Sequence, residues 1–458
     1  MKILKISLVI ILGFAILAFA AYKFYKAENQ EILIKMDDGV KLSTSVFVPR
    51  GRGPFPAVLV RTPYNKYGEE WLGQAFNIFQ IAVVLQDTRG KYGSEGKFYP
   101  FINEREDGLA TLRWIRSQPW SDGRVAGWGG SYVGYTQWAI SDSLDFMTLL
   151  LTGSRIYDLT YPDSLFSLQT AFLWGTDNAS DKLNKIDSTR RTKAILTLPI
   201  TLADDSTIKD IDFFNDWIIH DRFDDYWKQM DFRGKSKAPV LSIAGWYDLF
   251  LNTQIADFQA LGSSKDNPDS RLIIGPLAHG SLGEPNEYGG LKKTGKPTAI
   301  FKYLRRVIKG RRGALSYPLH NKRYNLFVME RNEYISSDVW PPEETEIKKY
   351  YLGPENIIAS KPFEMNGSLS YTYDPADPFP SLGGTTLGKG VGPARQNPNV
   401  GRTDQIVFEM DAANEPLILL GPVSATLWVS SSAGCSDFFV GIQDVFPEGK
   451  IINIQEGG

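Results

Sequence analysis

A chain of 458 residues exceeds what a single hydrophobic core usually organises, so about two or three domains are expected. Hydrophobic residues make up 43% of it and charged residues 22%, which excludes the apolar poverty of a disordered chain. With 50 Lys+Arg against 52 Asp+Glu and no basic stripe interleaved with aromatics, nothing attracts a phosphate backbone, and nucleic acid is not expected as a partner.

The chain opens with Lys2 and Lys5, followed by an uncharged, almost wholly apolar stretch from Ile6 to Tyr22. That stretch is short for a membrane span and slightly long for the apolar region of a signal peptide. Ala18-Phe19-Ala20 resembles a cleavage site, while Lys23 and Lys26 weaken the charge asymmetry that would fix an orientation. Residues 1–30 are therefore expected to direct export. They are either cleaved or kept as an anchor, in which case the membrane is a partner.

From about Glu31 the texture changes to short apolar runs between turns: Ala57 to Val60, Ile81 to Leu85 and Val125 to Trp128. These read as buried strands. Between the second and third, Leu109, Leu112 and Ile115 recur at helical spacing behind an acidic first turn, over Asn103 to Gln118. Strand, helix, strand implies a parallel sheet. Similar strands return at Val240 to Ala244 and Leu272 to Ile274, so the sheet is interrupted by an insertion.

The insertion, 155–235, is rich in aromatics and acids, with a helical stretch expected from Asp212 to Met230, and reads as a helical cap. Residues 31–154 and 236–345 then form the two parts of one α/β domain. Beyond about Tyr350, Pro- and Gly-rich loops precede strand-like runs at Ala425 to Val429 and Phe438 to Ile442, predicting an all-β domain over 346–458. The single cysteine, Cys435, excludes an intramolecular disulfide and, set in an apolar run, is expected to be a small core residue.

Gly127-Trp128-Gly129-Gly130-Ser131-Tyr132-Val133-Gly134 lies between a predicted strand and a predicted helix. A serine on such a strained turn presents its hydroxyl above the sheet, and its neighbours must be small because the backbone crosses itself closely. Gly129 fits, but the following glycine comes three residues after Ser131 rather than two, so the G-x-S-x-G pattern is only partly met. A serine nucleophile needs a base, and the chain has only His220, His279 and His320. His279 follows a predicted strand, where α/β-hydrolases place their base; His220 falls in the cap and His320 in a polar loop. Asp248 follows the strand Val240 to Ala244, which completes the order Ser, Asp, His. The backbone N–H of Tyr132 is one oxyanion donor by position, and the loop from Arg61 to Asn65 is placed to supply a second. No histidine pair lies at ligand spacing, so neither metal nor other cofactor is expected.

These residues resemble the CocE/NonD serine hydrolases, a group that spans esterases, acylases, α-amino acid ester hydrolases and Xaa-Pro dipeptidyl-peptidases. The resemblance begins at Arg61-Thr62-Pro63-Tyr64 and runs through Asp87-Thr88-Arg89-Gly90, Gly93-Ser94-Glu95-Gly96 and Asp122-Gly123-Arg124-Val125. It continues with Gly130-Ser131-Tyr132-Val133-Gly134, whose late glycine is a feature of the family, and then Gly245-Trp246-Tyr247-Asp248 and Gly275-Pro276-Leu277-Ala278-His279. Tyr373-Asp374-Pro375-Ala376-Asp377-Pro378 carries it into the β domain. It implies an α/β-hydrolase domain with an inserted helical cap followed by a jelly-roll β domain, and a tyrosine hydroxyl, Tyr64, as oxyanion donor. The jelly roll of the family runs further than Gly458, so the chain is expected to be C-terminally incomplete.

The expected substrate is a small ester, amide or peptide. In α-amino acid ester hydrolases an acidic pair follows the catalytic aspartate, whereas Leu249 and Phe250 follow Asp248 here; Phe250 fits an acyl pocket or a core position equally. Release of Xaa-Pro dipeptides is an alternative, with Asp204, Asp205 and Asp210 as candidates to grip a substrate amine. An exported, non-catalytic binding protein is the alternative of another class, against which the retained Ser131, His279 and Tyr64 speak.

Overall fold

The computed structural model describes residues 28–179, 188–205, 211–263, 265, 267–280, 322–364, 367–388 and 390–458. The apolar N-terminal segment, Asp210 and His320 lie outside them. Among the described residues no helix is long and apolar enough to cross a membrane. These residues form two compact units: the first takes those up to 244 together with 250–272, and the second takes 245–249, 273–280 and those from 322 onward.

The first unit begins with β1 (Glu28–Lys35) and β2 (Lys41–Val48), an antiparallel hairpin. Then come β3 (Phe55–Thr62), α1 (Glu70–Asn77), β4 (Ala82–Asp87), α2 (Glu104–Ser117), β5 (Ser121–Gly130), α3 (Ser131–Trp138) and β6 (Phe146–Leu150). With β7 (Val240–Tyr247) the strand order is β1-β2-β4-β3-β5-β6-β7. β2 pairs antiparallel with β4, whereas β4, β3, β5, β6 and β7 are mutually parallel. Every residue of β3 and of β4 is buried, as parallel strands covered on both faces require. This is why both read in the sequence as continuous apolar runs rather than alternating ones.

Between β6 and β7 the chain is helical, with α4 (Tyr157–Thr160), α5 (Leu168–Asn178), α6 (Ser188–Ile195), α7 (Asp212–Ile219) and α8 (Asp225–Lys228). The helix expected from Asp212 to Met230 is in fact two. His220 leaves the helical conformation, and the Asp224 side chain accepts from Tyr226 N at 3.0 Å, capping a fresh start. After β7, α9 (Leu251–Gln259) completes the described helices of this unit.

The second unit contains most of β8 (Arg271–Ala278) and an antiparallel pair, β9 (Tyr324–Val328) with β10 (Glu333–Ser337). Its later part is β-rich: β11 (Tyr351–Leu352) pairs with β12 (Ile358–Ala359), and β13 (Val440–Val445) with β14 (Ile451–Gly457). Two expectations fail here. Ala425 to Val429 forms no strand, and Trp428 is 93% exposed. An alternating run becomes a strand only where a neighbour completes its ladder, and none does so among the described residues. Cys435 is exposed rather than buried, because the run that carries it is not covered.

Candidate active site

The turn between β5 and α3 is built around Ser131, whose φ of +51° lies in the left-handed region that residues with a Cβ rarely adopt. The strain is held by backbone bonds on both sides of the residue. Ser131 N donates to Leu151 O at 3.2 Å, and Thr152 Oγ1 donates to Ser131 O at 2.7 Å. The spacing of the glycines follows from the packing. A Cβ on Gly129 would sit 2.4 Å from the backbone C and O of Val133, and one on Gly134 would sit 2.5 Å from Thr152 Cγ2. Thus the third position after the serine is the one that must be small here, and Val133 at the second fits with its side chain buried.

Tyr64 lies in the loop after β3. Its backbone N donates to Thr62 Oγ1 at 3.0 Å, and Thr88 N donates to Thr62 O at 2.9 Å. Asn65, at φ +78°, turns the chain and caps the next turn through its side chain, and Asp87 Oδ1 accepts from Lys66 N at 2.8 Å. The Asp87-Thr88-Arg89-Gly90 segment is thereby a scaffold for the Tyr64 loop. Arg89 in turn is held by both carboxylate oxygens of Asp107, at 3.0 and 2.6 Å.

The Tyr64 hydroxyl accepts the Nε1–H of Trp174 at 2.9 Å, and it lies near enough to the Ser131 side chain to feel it electrostatically. Withdrawal from water pushes its pKa up to about 12, against the influence of Trp174 and Ser131, which lower it. The residue is 39% exposed by area, so this withdrawal acts at the crowded hydroxyl rather than on the ring as a whole.

Tyr132 is fixed from beneath. Its hydroxyl accepts from Phe101 N at 2.9 Å and donates to Glu104 Oε1 at 2.7 Å. Glu104 is held by the fully buried Arg61, whose NH1 reaches Glu104 Oε2 at 2.8 Å and Glu104 O at 2.7 Å. Burial, and then the Glu104 carboxylate, hold the Tyr132 hydroxyl well above its ordinary pKa, so it stays a neutral donor. As the second residue of α3, Tyr132 has a backbone N–H without an intrahelical acceptor.

Asp248 and His279 stand in the second unit. Asp248 follows β7 and is 1% exposed, with its N donating to Gly245 O at 3.1 Å. Gly245 has no room for a side chain, since a Cβ would meet Leu277 O at 2.3 Å. Trp246 Nε1 donates to Phe327 O at 2.7 Å and Tyr247 Oη to Asn453 O at 3.1 Å, so this motif is pinned at three successive residues. His279 follows β8, and its Nδ1 lies 2.8 Å from Asp248 Oδ2. An aspartate on Nδ1 assigns the proton to that nitrogen and leaves Nε2 as an acceptor.

The structure thus pairs Tyr64 with Ser131 in one unit and Asp248 with His279 in the other. Of the remaining candidates, Phe250 is 4% exposed in the first unit, at the N-terminal end of α9 and packed toward Gly153, which is a core position. Asp204 is fully buried and its Oδ2 accepts from Ile211 N at 2.5 Å, while Asp205 is exposed. His220 makes a second Asp–His pair, 2.6 Å from Asp224 Oδ2, and stacks on Tyr226 at 4.3 Å. Sequence reasoning missed Trp174, because an aromatic in an aromatic-rich helix gives no signal of which polar atom it reaches.

The profile of the X-Pro dipeptidyl-peptidase (S15 family) matches residues 38–281, and that of the X-Pro dipeptidyl-peptidase C-terminal non-catalytic domain matches 320–458. The chain is 32% identical to the cocaine esterase of Rhodococcus sp. (strain MB1 Bresler), over 93% of this chain and 82% of that one. The chain belongs to the S15 family of CocE/NonD serine hydrolases. This S15 hydrolase also shares its fold with an α-amino acid ester hydrolase, at a TM-score of 0.71 and 19% identity over 94% of this chain and 81% of the other. An aminopeptidase from the marine sediment archaeon Thaumarchaeota archaeon gives a TM-score of 0.68 at 20% identity, over 84% of this chain and 72% of that one. At such identities the likeness speaks for the fold alone.

Proposed function

We propose that this S15 hydrolase cleaves carboxylic esters through an acyl-enzyme on Ser131, with His279 as base, Asp248 as its orienter, and Tyr64 and Tyr132 as the oxyanion hole. The observation that carries the reading is the left-handed backbone of Ser131 at the strand-to-helix turn, with the Tyr64 hydroxyl beside its side chain. A serine is held in that conformation at a strand-to-helix turn where its hydroxyl must be presented rather than buried.

In the mechanism, Ser131 Oγ attacks the ester carbonyl as His279 Nε2 takes its proton. The carbonyl π pair moves onto oxygen, where the Tyr64 O–H and the Tyr132 N–H receive it. Asp248 holds the imidazole through Nδ1 and stabilises the imidazolium. Collapse breaks the bond to the leaving alcohol, which takes the proton from His279. Water, deprotonated by the same histidine, then cleaves the acyl group from Ser131.

Two observations favour an ester over an Xaa-Pro peptide. The 32% identity is to an esterase, and Asp204, one candidate to grip a substrate amine, is buried with an oxygen committed to Ile211 N. Initial rates on 4-nitrophenyl acyl esters and on Gly-Pro-4-nitroanilide decide between them. Preferential cleavage of the esters is expected, whereas preference for the anilide, lost when its amine is acetylated, would assign a dipeptidyl-peptidase.

Tyr64→Phe should lower kcat/KM on the preferred ester by roughly 10²–10³-fold, the usual cost of one oxyanion donor. Because its pKa is pushed up to about 12, the Tyr64 hydroxyl keeps its proton well past the ordinary tyrosine value. The loss should therefore be uniform from about pH 6 to 10, since the hydroxyl stays protonated throughout. An unchanged rate, or an alkaline limb that disappears with the hydroxyl, would contradict this role.

A further inference from the structure

Trp174 lies on α5, in the helical segment between β6 and β7, and it touches both residues assigned above to the oxyanion hole. Its Nε1–H donates to Tyr64 Oη at 2.9 Å. Its ring lies on that of Tyr132 with centroids 5.6 Å apart and planes 7° apart, and it also stacks on Phe101 at 5.7 Å. The Tyr64 and Tyr132 rings meet edge to face at 6.4 Å, so the three form one contiguous group beside Ser131.

The chemistry of the contact fixes its direction. An indole N–H is a donor only, so Tyr64 must accept from Trp174 and cannot turn its own proton toward it. The single hydroxyl hydrogen of Tyr64 is thereby kept off Trp174 and left to be donated to a substrate oxygen. Accepting one hydrogen bond also polarises the O–H and strengthens the bond it donates. The stacked face, meanwhile, confines the side chain of Tyr132, whose backbone N–H is the other donor.

We propose that Trp174 is a positioning residue of the oxyanion hole, through which the helical insertion aims and strengthens the Tyr64 donor. It acts through Tyr64 and Tyr132, and the proposal rests on the function assigned to them above. The hydrogen bond from Trp174 works on the Tyr64 hydroxyl in the direction opposite to desolvation, as a polarising donor should.

The test is a double-mutant cycle between positions 174 and 64, read as kcat and KM on a 4-nitrophenyl ester. Trp174→Phe keeps an aromatic face and removes the N–H. Replacing Trp174 with 3-benzothienylalanine removes only the N–H and keeps the bicyclic shape, so a folding defect in the first variant leaves the second to report. In the otherwise native enzyme, kcat should fall roughly three- to ten-fold, the range for one neutral hydrogen bond, with KM changed by less than about two-fold. In the Tyr64→Phe background the same replacements should change kcat by less than about two-fold. A loss confined to KM, an unchanged kcat, or an equal loss in both backgrounds would overturn the proposal while leaving the Tyr64 role intact. If Tyr64→Phe alone leaves turnover unchanged, the function assigned to Tyr64 fails first, and the positioning role falls with it.

Discussion

Ser131→Ala is expected to lower kcat on 4-nitrophenyl esters by roughly 10⁶-fold, the scale on which a triad acting as a unit fails when its nucleophile is removed. The fold should survive. The bonds that hold the turn, from Ser131 N to Leu151 O and from Thr152 Oγ1 to Ser131 O, use backbone atoms of residue 131 and persist in the variant. Alanine also carries the same Cβ into the left-handed conformation, so its backbone strain matches that of serine. A thermal melt superimposable on that of the native protein should therefore accompany the loss. A second replacement, His279→Ala, should remove little more, since a base without a nucleophile has no work left. Ester turnover retained above about a hundredth of the native rate would show that another group carries the chemistry.

Asp248→Asn should lower kcat by roughly 10⁴-fold with KM little changed. Asp248 is 1% exposed and accepts at Oδ2 from His279 Nδ1, 2.8 Å away. Asparagine has the same shape, but its amide nitrogen donates where the carboxylate accepted. His279 then accepts at Nδ1 and carries its proton on Nε2, the nitrogen that must be bare to take the Ser131 proton. The effect is thus one of tautomer rather than of shape. The backbone bond from residue 248 to Gly245 O is indifferent to the change, and stopped assays with a chromogenic ester measure the loss directly. A loss under about ten-fold would detach Asp248 from the base.

Much of this was legible in the sequence because it rests on local necessity. The close approach of Gly129 to Val133 and the left-handed turn at Ser131 demand small residues at particular offsets, and those residues stand there. β3 and β4 announced themselves as apolar runs because a parallel sheet buries both faces. The N-terminal hairpin was less visible: β1 is mostly exposed, and β2 carries Thr44 and Ser45 into buried positions where their polarity masks the strand. What depends on long-range packing could not be read. Nothing local tells that Trp174 reaches Tyr64 across 110 positions, or that Glu104 sits between Arg61 and Tyr132. Ala425 to Val429 illustrates the reverse error, a pattern suited to a strand with no partner to make it one.

The assignment of Ser131 as nucleophile is tested most directly by covalent labelling. A fluorophosphonate ester, which phosphonylates an activated serine, is incubated with the full chain, and the modified residue is mapped by peptide mass spectrometry. One phosphonyl group per chain on Ser131 is expected, absent from Ser131→Ala and formed far more slowly in Asp248→Asn. A folded, ester-cleaving protein that takes up no label, or takes it up elsewhere, would contradict the mechanism at its first step.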